Sequence, residues 1–140
     1  CESPDIRKYD DLIDLYTPKI LVVDTIDAIP AKYFNGEYDR QNFVTNELKA
    51  LANRHKMIVI AISHISKGAS YRLKEGHELD VHSAKGNSVI EQKADKIIAF
   101  ESDRDNEDIR RITAIGSRDE SSFKLILNFD YNTFNFKQVN

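Results

Sequence analysis

Two short apolar runs, each ending in polar side chains, constrain the fold of this chain more than any other feature. Residues Ile20–Asp24 form the run Ile-Leu-Val-Val-Asp, and residues Met57–His64 form the run Met-Ile-Val-Ile-Ala-Ile-Ser-His. A run without polar alternation is typical of a strand covered on both faces, as in a parallel sheet flanked by helices. Ligands of such sheets bind at the carboxyl ends of the strands. We therefore expect a binding site where Asp24, Ser63 and His64 lie.

Length and composition set broad limits on the protein class. With 140 residues, 41% of them hydrophobic, the sequence predicts one domain over residues 1–140 with a buried core. The net charge of −3 means that any nucleic acid must bind a local basic patch. Cys1 is the only cysteine, which excludes an internal disulfide and favours the reducing cytoplasm. The start at Cys1, rather than at a methionine, suggests a piece of a longer polypeptide.

The hydrophobic pattern also predicts the order of the elements. No apolar stretch approaches the ~18 to 20 residues of a membrane span, so we expect no membrane partner. Periodicity predicts helices over residues 5–16, 39–55 and 86–94. Strands are predicted over residues 19–24, 57–63, 96–100, 110–115, 123–129 and 134–136. This order predicts a parallel α/β segment followed by antiparallel strands, with long loops over residues 28–40 and 66–82.

Asp24 ends the first buried run, where a magnesium-nucleotide site needs a carboxylate. Magnesium keeps most of its waters and is often held by one or two carboxylates together with substrate phosphates. The alternative is structural, because Asp24 can cap the segment that follows and Asp27 can serve as an acid at the start of a helix. Both interpretations of Asp24 stay open at this point.

Ser63 and His64 should lie beside Asp24. A hydroxyl or an imidazole there can contact a terminal phosphate or an attacking water, although His64 can equally be a histidine that only makes structural hydrogen bonds. Consecutive strand residues point to opposite faces, so Ser63 and His64 cannot form a nucleophile–base pair. The other histidines show no zinc-ligand spacing with cysteines.

Arg118 lies in a polar segment between two predicted strands, within the sequence Gly116-Ser-Arg-Asp-Glu120. An arginine that protrudes from a turn can meet the phosphate charge of a neighbouring subunit, as an arginine finger does. The alternative is an ordinary solvated arginine on a turn.

Two predicted loops carry a set of basic residues interleaved with aromatic ones. Such a set can follow a phosphate backbone and stack on bases, although charged loops are often merely solvated. The candidate DNA-binding residues are Lys32, Arg40, Lys67, Arg72, Lys74 and Lys85.

In combination, these motifs resemble the motor domain of RecA-like hexameric replicative helicases, the DnaB, Twinkle and phage primase-helicase group. The series is Ile20-Leu-Val-Val-Asp-Thr25, similar to a Walker B strand, then Leu48-Lys-Ala-Leu-Ala52, then Ile58-Val-Ile-Ala-Ile-Ser-His64. It continues with Ile-Glu-Gln-Lys-Ala-Asp at residues 90–95 and Phe-Lys-Leu-Ile-Leu-Asn-Phe at residues 123–129. The resemblance covers about residues 18–136.

The resemblance implies an α/β fold of the RecA-like, P-loop NTPase type, with a mostly parallel sheet flanked by helices and antiparallel strands at the C-terminal end. It implies ATP and Mg²⁺ as cofactors, with Asp24 in the magnesium shell and Thr25, Ser63 and His64 at the nucleotide. His64 would sense the γ-phosphate, Arg118 would be the finger that reaches the next subunit, and the basic loops would grip single-stranded DNA inside a homo-hexamer.

Three departures from the family pattern accompany this resemblance. The sequence contains no Gly-x-x-x-x-Gly-Lys-Ser/Thr loop, which implies the C-terminal half of a motor domain that cannot hydrolyse ATP alone. Gly116 stands where a lysine is common, and Glu120 stands where a glycine is usual. Besides an ATP-dependent DNA helicase acting in replication, two alternatives stay open: a recombinase or KaiC-type ATPase of the same fold, and a non-catalytic binding module.

Overall fold

The computed structural model describes residues 5–30, 34, 36–84, 87–103, 105–118 and 122–139. The helices are α1 (Tyr9–Tyr16), α2 (Glu37–His55), α3 (Lys67–Lys74) and α4 (Asn87–Lys93), with short 3-10 turns at Ile6–Lys8 and Ile26–Ala28. The strands are β1 (Ile20–Asp24), β2 (Ile58–Ile62), β3 (Lys96–Ser102), β4 (Ile109–Ser117), β5 (Lys124–Asp130) and β6 (Asn135–Gln138).

The chain divides into two compact units. The N-terminal unit comprises residues 1–66 and 84–93, and the C-terminal unit comprises residues 67–83 and 94–140. That these units make up a single domain over residues 1–140 stays a prediction. Among the helices that the structure describes, none has the length and apolar character of a membrane span.

The N-terminal unit contains the predicted parallel strand pair. In the register of β1 and β2, Ile20 lies opposite Ile58 and Asp24 lies opposite Ile62. The strands are parallel because α2 carries the chain back between them, as in a βαβ unit. The two predicted runs are therefore confirmed as neighbouring parallel strands.

A hydrophobic core lies on one face of this strand pair. Helix α2 contributes a stripe spaced as one helical face requires, and Val44 on this stripe is completely buried. The core cluster comprises Ile6, Ile13, Val23, Ile26, Ile29, Val44, Leu48, Leu51 and Met57.

The other face of the strand pair differs from the sequence expectation. The unbroken apolar runs predict strands covered on both faces, whereas Val22 in β1 and Ile58, Ile60 and Ile62 in β2 are all exposed. Each of these four side chains is between 42% and 61% exposed. Both runs therefore carry more apolar surface than the described part of this unit buries.

The C-terminal unit contains an antiparallel sheet in the order β3-β4-β5-β6. The antiparallel strands expected at the C-terminal end are thus confirmed, but β3 also belongs to this sheet. Among the described residues four strands are antiparallel and two are parallel, so the parallel part is smaller than the sequence suggests. A short apolar run does not specify the direction of its partner strand, which explains the difference.

Helix α3 lies in a segment that shows no helical periodicity. The sequence predicts a loop over residues 66–82, and eight of these residues form α3. Ala69 is the only residue of α3 that is buried. A short helix with a single buried position leaves no recognisable apolar stripe in the sequence.

Candidate functional site

Asp24 and His64 emerge from the same edge of the parallel strand pair. Asp24 is the last residue of β1 and lies opposite Ile62, the last residue of β2, so Ser63 and His64 follow directly beyond that edge. The Asp24 carboxylate is exposed to solvent, as is the ring of His64. The arrangement that the sequence predicts for these tips is therefore present.

His64 makes a specific contact with a second acid, Asp27. The Nδ1 atom of His64 lies 3.0 Å from Oδ2 of Asp27, although the His64 side chain is 71% exposed. A carboxylate only accepts hydrogen bonds, so Nδ1 carries the hydrogen in this contact. Nε2 is then the ring nitrogen left to meet a ligand.

Asp27 is held by helix α2 through its other carboxylate oxygen. The Nε2 group of Gln41 donates to Oδ1 of Asp27 at 2.9 Å, and Gln41 is only 4% exposed. Nη2 of Arg40 lies 3.8 Å from the same oxygen. Asp27 thus joins an exposed histidine to buried and half-buried residues in the first turns of α2.

Arg40 does not lie on an exposed rim, as the sequence suggests it should. Its side chain is 17% exposed, and its Nη1 atom donates to the backbone carbonyls of Ile26 at 3.2 Å and Ile29 at 3.1 Å. The arginine falls in the first turn of α2 rather than in a loop, which turns its side chain toward the segment after β1. Its contact with DNA stays a prediction.

Asp27 and Gln41 are site residues that the sequence reasoning missed. The sequence identifies Asp27 only as a possible acid at the start of a helix. Gln41 offers a usable signal, because it lies at helical spacing from the buried Val44 and Leu48. A polar side chain on an apolar stripe requires a hydrogen-bond partner, and here that partner is Asp27.

Thr25 and Ser63 flank the two tips. The Oγ atom of Ser63 donates to the backbone carbonyl of His64 at 3.3 Å. A cavity of about 310 Å³ lies along β1, and its lining includes Asp24 and Thr25 together with residues of α1. Binding of nucleotide by Thr25 and Ser63 stays a prediction.

The donor set near Asp24 fits magnesium better than a metal held by protein ligands alone. The described residues contain no group of three or more histidine, cysteine or acidic side chains able to hold a metal ion. Magnesium does not need such a group, because water and phosphate oxygens complete its shell. Asp24 fits this requirement, whereas no segment of the sequence provides the glycine loop that cradles phosphates.

Arg118 lies in the C-terminal unit, directly after β4. Its backbone N–H donates to the carbonyl of Asp95 at 3.0 Å, and its Nη1 atom lies 3.5 Å from Oδ1 of Asp95. Both side chains are more than half exposed. Residues 119–121, which include Glu120, lie outside the described part of the chain.

Gly116 lies where the surrounding side chains leave little space for a Cβ atom. A Cβ atom at this position would lie 3.0 Å from Cγ1 of Val81 and 3.5 Å from Cδ1 of Ile97. Any larger side chain therefore requires Val81 to move. Gly116 also lies opposite Ile97 in the β3–β4 register, next to a bulge between Ile97 and Ile98.

Arg72 is engaged within the C-terminal unit. Its Nη1 and Nη2 atoms lie 3.2 Å and 3.3 Å from the two carboxylate oxygens of Asp80. Asp80 also accepts from the Oγ atom of Ser83 at 2.7 Å. The hydrogen bond from Ser83, and then that from Arg72, hold the pKa of Asp80 below its ordinary value.

The two lysines of α3 differ from Arg72. Lys67 and Lys74 are exposed, and Nζ of Lys74 lies 5.9 Å from the ring centroid of Tyr71, which is exposed as well. A lysine beside an exposed aromatic ring suits a strand of stacked bases and phosphates. The other two candidates, Lys32 and Lys85, lie outside the described residues.

Comparison with known proteins identifies the fold. No family model matches the chain, and no curated protein matches it in sequence. Among solved structures, a DnaB-like replicative helicase, described with its interactions with primase, matches at a TM-score of 0.81 and 18% identity. The match covers 97% of this chain and 35% of that one. A second solved structure, described as an ATPase domain, matches at a TM-score of 0.81 and 19% identity, over 97% of this chain and 52% of that one.

The chain thus spans about a third and about half of the two proteins that it matches. The predicted RecA-like α/β class is confirmed, and so is the resemblance to DnaB-like helicases, at the level of the fold. A fold supports many activities, so the activity must be argued from the site.

Proposed function

We propose that this chain is part of the motor of an ATP-dependent DNA helicase, which couples nucleotide hydrolysis to translocation on single-stranded DNA during replication. The parent protein would be a homo-hexamer in the cytoplasm, with ATP and Mg²⁺ as cofactors. The fold supports this proposal, because it is shared with a DnaB-like replicative helicase and with a second protein's ATPase domain.

The observation that carries the proposal is the parallel register of β1 and β2. It sets an exposed carboxylate, Asp24, and an exposed imidazole, His64, at one edge of a sheet. In open α/β folds this is the edge at which ligands bind. Asp24 would hold Mg²⁺, Thr25 and Ser63 would contact the nucleotide, and His64 would meet the γ-phosphate. Bound magnesium would neutralise phosphate charge during transfer.

The rest of the motor must supply the phosphate loop. The exposed apolar face of the strand pair supports a larger parent domain, because Val22, Ile58 and Ile60 carry apolar surface that the described part of the unit does not bury. The isolated chain is therefore expected not to hydrolyse ATP, since phosphate binding needs the glycine loop and its lysine.

Two further groups of residues complete the proposed motor. Arg118 would act on the nucleotide of a neighbouring subunit, which its exposed position after β4 supports. Basic residues would contact the DNA backbone, and the exposed lysines of α3 support this most directly. The full proposed set is Lys32, Arg40, Lys67, Arg72, Lys74 and Lys85.

Substitution of Asp24 in the full-length parent tests the proposal. Asp24→Asn should lower Mg²⁺-dependent ATP hydrolysis by about 100-fold or more, because a ligand to the ion is lost. Asp11→Asn is the matched control, since it removes the same charge from the exposed face of α1. Unchanged hydrolysis in Asp24→Asn, or robust hydrolysis by the isolated chain, would contradict the proposal.

Unwinding of a forked duplex by the parent distinguishes the proposal from its rivals. A helicase unwinds the fork in the presence of ATP and Mg²⁺. ATP hydrolysis without unwinding would instead favour a recombinase or KaiC-type ATPase. Absence of nucleotide binding altogether would favour a non-catalytic module.

A further inference from the structure

We propose that Asp27 is a positioning residue, which fixes the ring of His64 through Nδ1 so that Nε2 is the atom presented to the nucleotide. The function of the presented atom rests on the proposed function above. The orientation of the ring does not, and it can be measured separately.

The exposed ring of His64 contacts the mostly buried carboxylate of Asp27. His64 is 71% exposed, and an exposed side chain normally samples several rotamers. Its Nδ1 atom nevertheless lies 3.0 Å from Oδ2 of Asp27, whose side chain is mostly buried. The contact joins residues that are 37 positions apart in the sequence, so it depends on the tertiary fold rather than on local chain geometry.

Asp27 lies in a backbone turn that buried side chains hold in place. It lies in the 3-10 turn Ile26–Ala28, and this turn is anchored by two buried side chains, Ile26 and Ile29. Arg40 donates to the backbone carbonyls of both isoleucines, which fixes the turn against α2. The backbone position of Asp27 is therefore set by buried side chains and by Arg40.

Gln41 determines which oxygen of the Asp27 carboxylate is available to His64. Its Nε2 group donates to Oδ1 at 2.9 Å, which leaves Oδ2 for the imidazole. Gln41 is buried, so its amide has little freedom to leave this bond. Three side chains, Gln41, Asp27 and His64, thus form a chain of hydrogen bonds from the interior of the N-terminal unit to its exposed edge.

The contact with Asp27 determines which of the two ring nitrogens of His64 carries the hydrogen. Because Asp27 accepts from Nδ1, the hydrogen of the neutral ring resides on Nδ1, and Nε2 faces a ligand. A carboxylate that orients a histidine in this way is a recurrent device for residues that contact metals or substrates, and its loss usually costs about 10- to 100-fold in affinity or activity. Asp27 would act through His64 and would not touch the nucleotide.

Nuclear magnetic resonance of the ring nitrogens of this chain tests the orientation directly. In the wild type we expect the hydrogen of the neutral His64 ring to reside mainly on Nδ1. In Asp27→Asn, Gln41 continues to donate to the amide oxygen, so the amide NH₂ group faces His64. The hydrogen of the ring should then move mainly to Nε2. The ring of His77, which lies in the other unit, serves as an internal control.

Asp11→Asn is the matched charge control and should leave the His64 ring as in the wild type. A wild-type ring with its hydrogen on Nε2 would overturn the proposal, and so would the same ring state in wild type and Asp27→Asn. If Asp27→Asn does not fold, as judged from its amide spectrum, the wild-type ring alone decides the matter.

Kinetics of the full-length parent then separate this inference from the proposed function. If both hold, Asp27→Asn should lower kcat for ATP about 10-fold or more with KM changed less than about 2-fold. His64→Ala and the double variant should show a similar, non-additive loss. A ring that changes state while kcat is unaffected would leave Asp27 as the positioning residue and remove His64 from the proposed nucleotide chemistry.

Discussion

The Nε2 atom of His55 lies 2.7 Å from Oδ1 of Asp10, and this contact joins the C-terminal end of α2 to α1. The other oxygen of the same carboxylate accepts from Nη2 of Arg54 at 2.7 Å. A second acid of α1, Asp14, lies 3.7 Å from Nδ1 of His55. Helix α1 is therefore held against α2 by ionisable groups as well as by buried residues such as Ile13.

This contact predicts a pH dependence of stability. The hydrogen bond from His55, and then that from Arg54, lower the pKa of Asp10 below its ordinary value. A carboxylate whose pKa is depressed in the folded state contributes stability above the unfolded pKa and loses it as the pH falls through the folded pKa. As the pH is lowered below about 4, we expect the urea concentration at the midpoint of unfolding to decrease in the wild type. It should decrease less in Asp10→Asn.

The matched control for Asp10 is again Asp11→Asn, on the same helix. It should retain the acid-dependent loss of the wild type. An equal loss in Asp10→Asn and in the wild type would show that other acids determine the acid stability, and Asp5, Asp80 and Asp103 also have lowered pKa values.

Packing of α2 leads to a second prediction. Leu51 is 1% exposed and belongs to the core cluster, whereas Leu15 at the end of α1 is 71% exposed. Leu51→Ala should lower the free energy of unfolding by about 2 to 4 kcal/mol, through lost burial and a residual cavity. Leu15→Ala should change it by less than about 0.5 kcal/mol. Urea unfolding of the two variants measures both values, and similar losses would contradict the assigned core.

The glycine at position 116 leads to a third prediction. A Cβ atom there would lie 3.0 Å from Cγ1 of Val81, so Gly116→Ala should destabilise the protein by about 1 kcal/mol. Val81→Ala removes the obstructing methyl groups. The double variant should therefore be more stable than the sum of the two single losses predicts. Strict additivity in a urea-unfolding cycle would show that Val81 does not set the requirement for glycine.

Arg118 allows stability and function to be tested separately. Its ion pair with Asp95 is exposed, so Arg118→Ala should change the unfolding free energy of this chain by less than about 0.5 kcal/mol. In the full-length parent, the same variant should lose turnover by about 1,000-fold while retaining nucleotide affinity, as expected of a finger. Asp95→Asn is the control, because it breaks the pair and keeps the arginine. Equal turnover in Arg118→Ala and Asp95→Asn would argue against a finger.

The sequence predicted those features that depend on short-range patterns. The apolar runs ending at Asp24 and His64 specified two strands and the edge at which they end, because parallel neighbours align their carboxyl ends. Helix α3 escaped prediction because only Ala69 is buried on it. The antiparallel pairing of β3 was also not predicted, because its apolar run is compatible with either a parallel or an antiparallel partner strand.

The contacts that shape the site could not be predicted from local patterns. The hydrogen bond between His64 and Asp27 joins the segments that follow β1 and β2, and its formation depends on the path of the segment after β1. The positive charge of Arg40 suggests a contact with DNA, but its position in the first turn of α2 directs it to backbone carbonyls. Residue type indicated charge in each case, and the fold determined the partner.

The basic residues around α3 lead to the last prediction, which concerns DNA. The charge of Arg72 is paired with Asp80, whereas Lys74 is exposed beside the ring of Tyr71. In the full-length parent, Lys74→Gln should weaken binding of single-stranded DNA and lower the slope of log K against log salt by about 0.7, the value for one phosphate contact. Arg72→Gln should lower that slope by less, because Asp80 already neutralises its guanidinium.

Titration of a fluorescent oligonucleotide at several salt concentrations measures both slopes, and Glu75→Gln is a control of opposite charge on the same segment. Equal changes for Lys74→Gln and Arg72→Gln would mean that Arg72 leaves Asp80 to bind a phosphate. Asp80→Asn would then strengthen DNA binding, because the competing carboxylate is removed. If neither variant changes the slope, α3 does not contact the phosphate backbone, and DNA must be held by other basic residues of the parent.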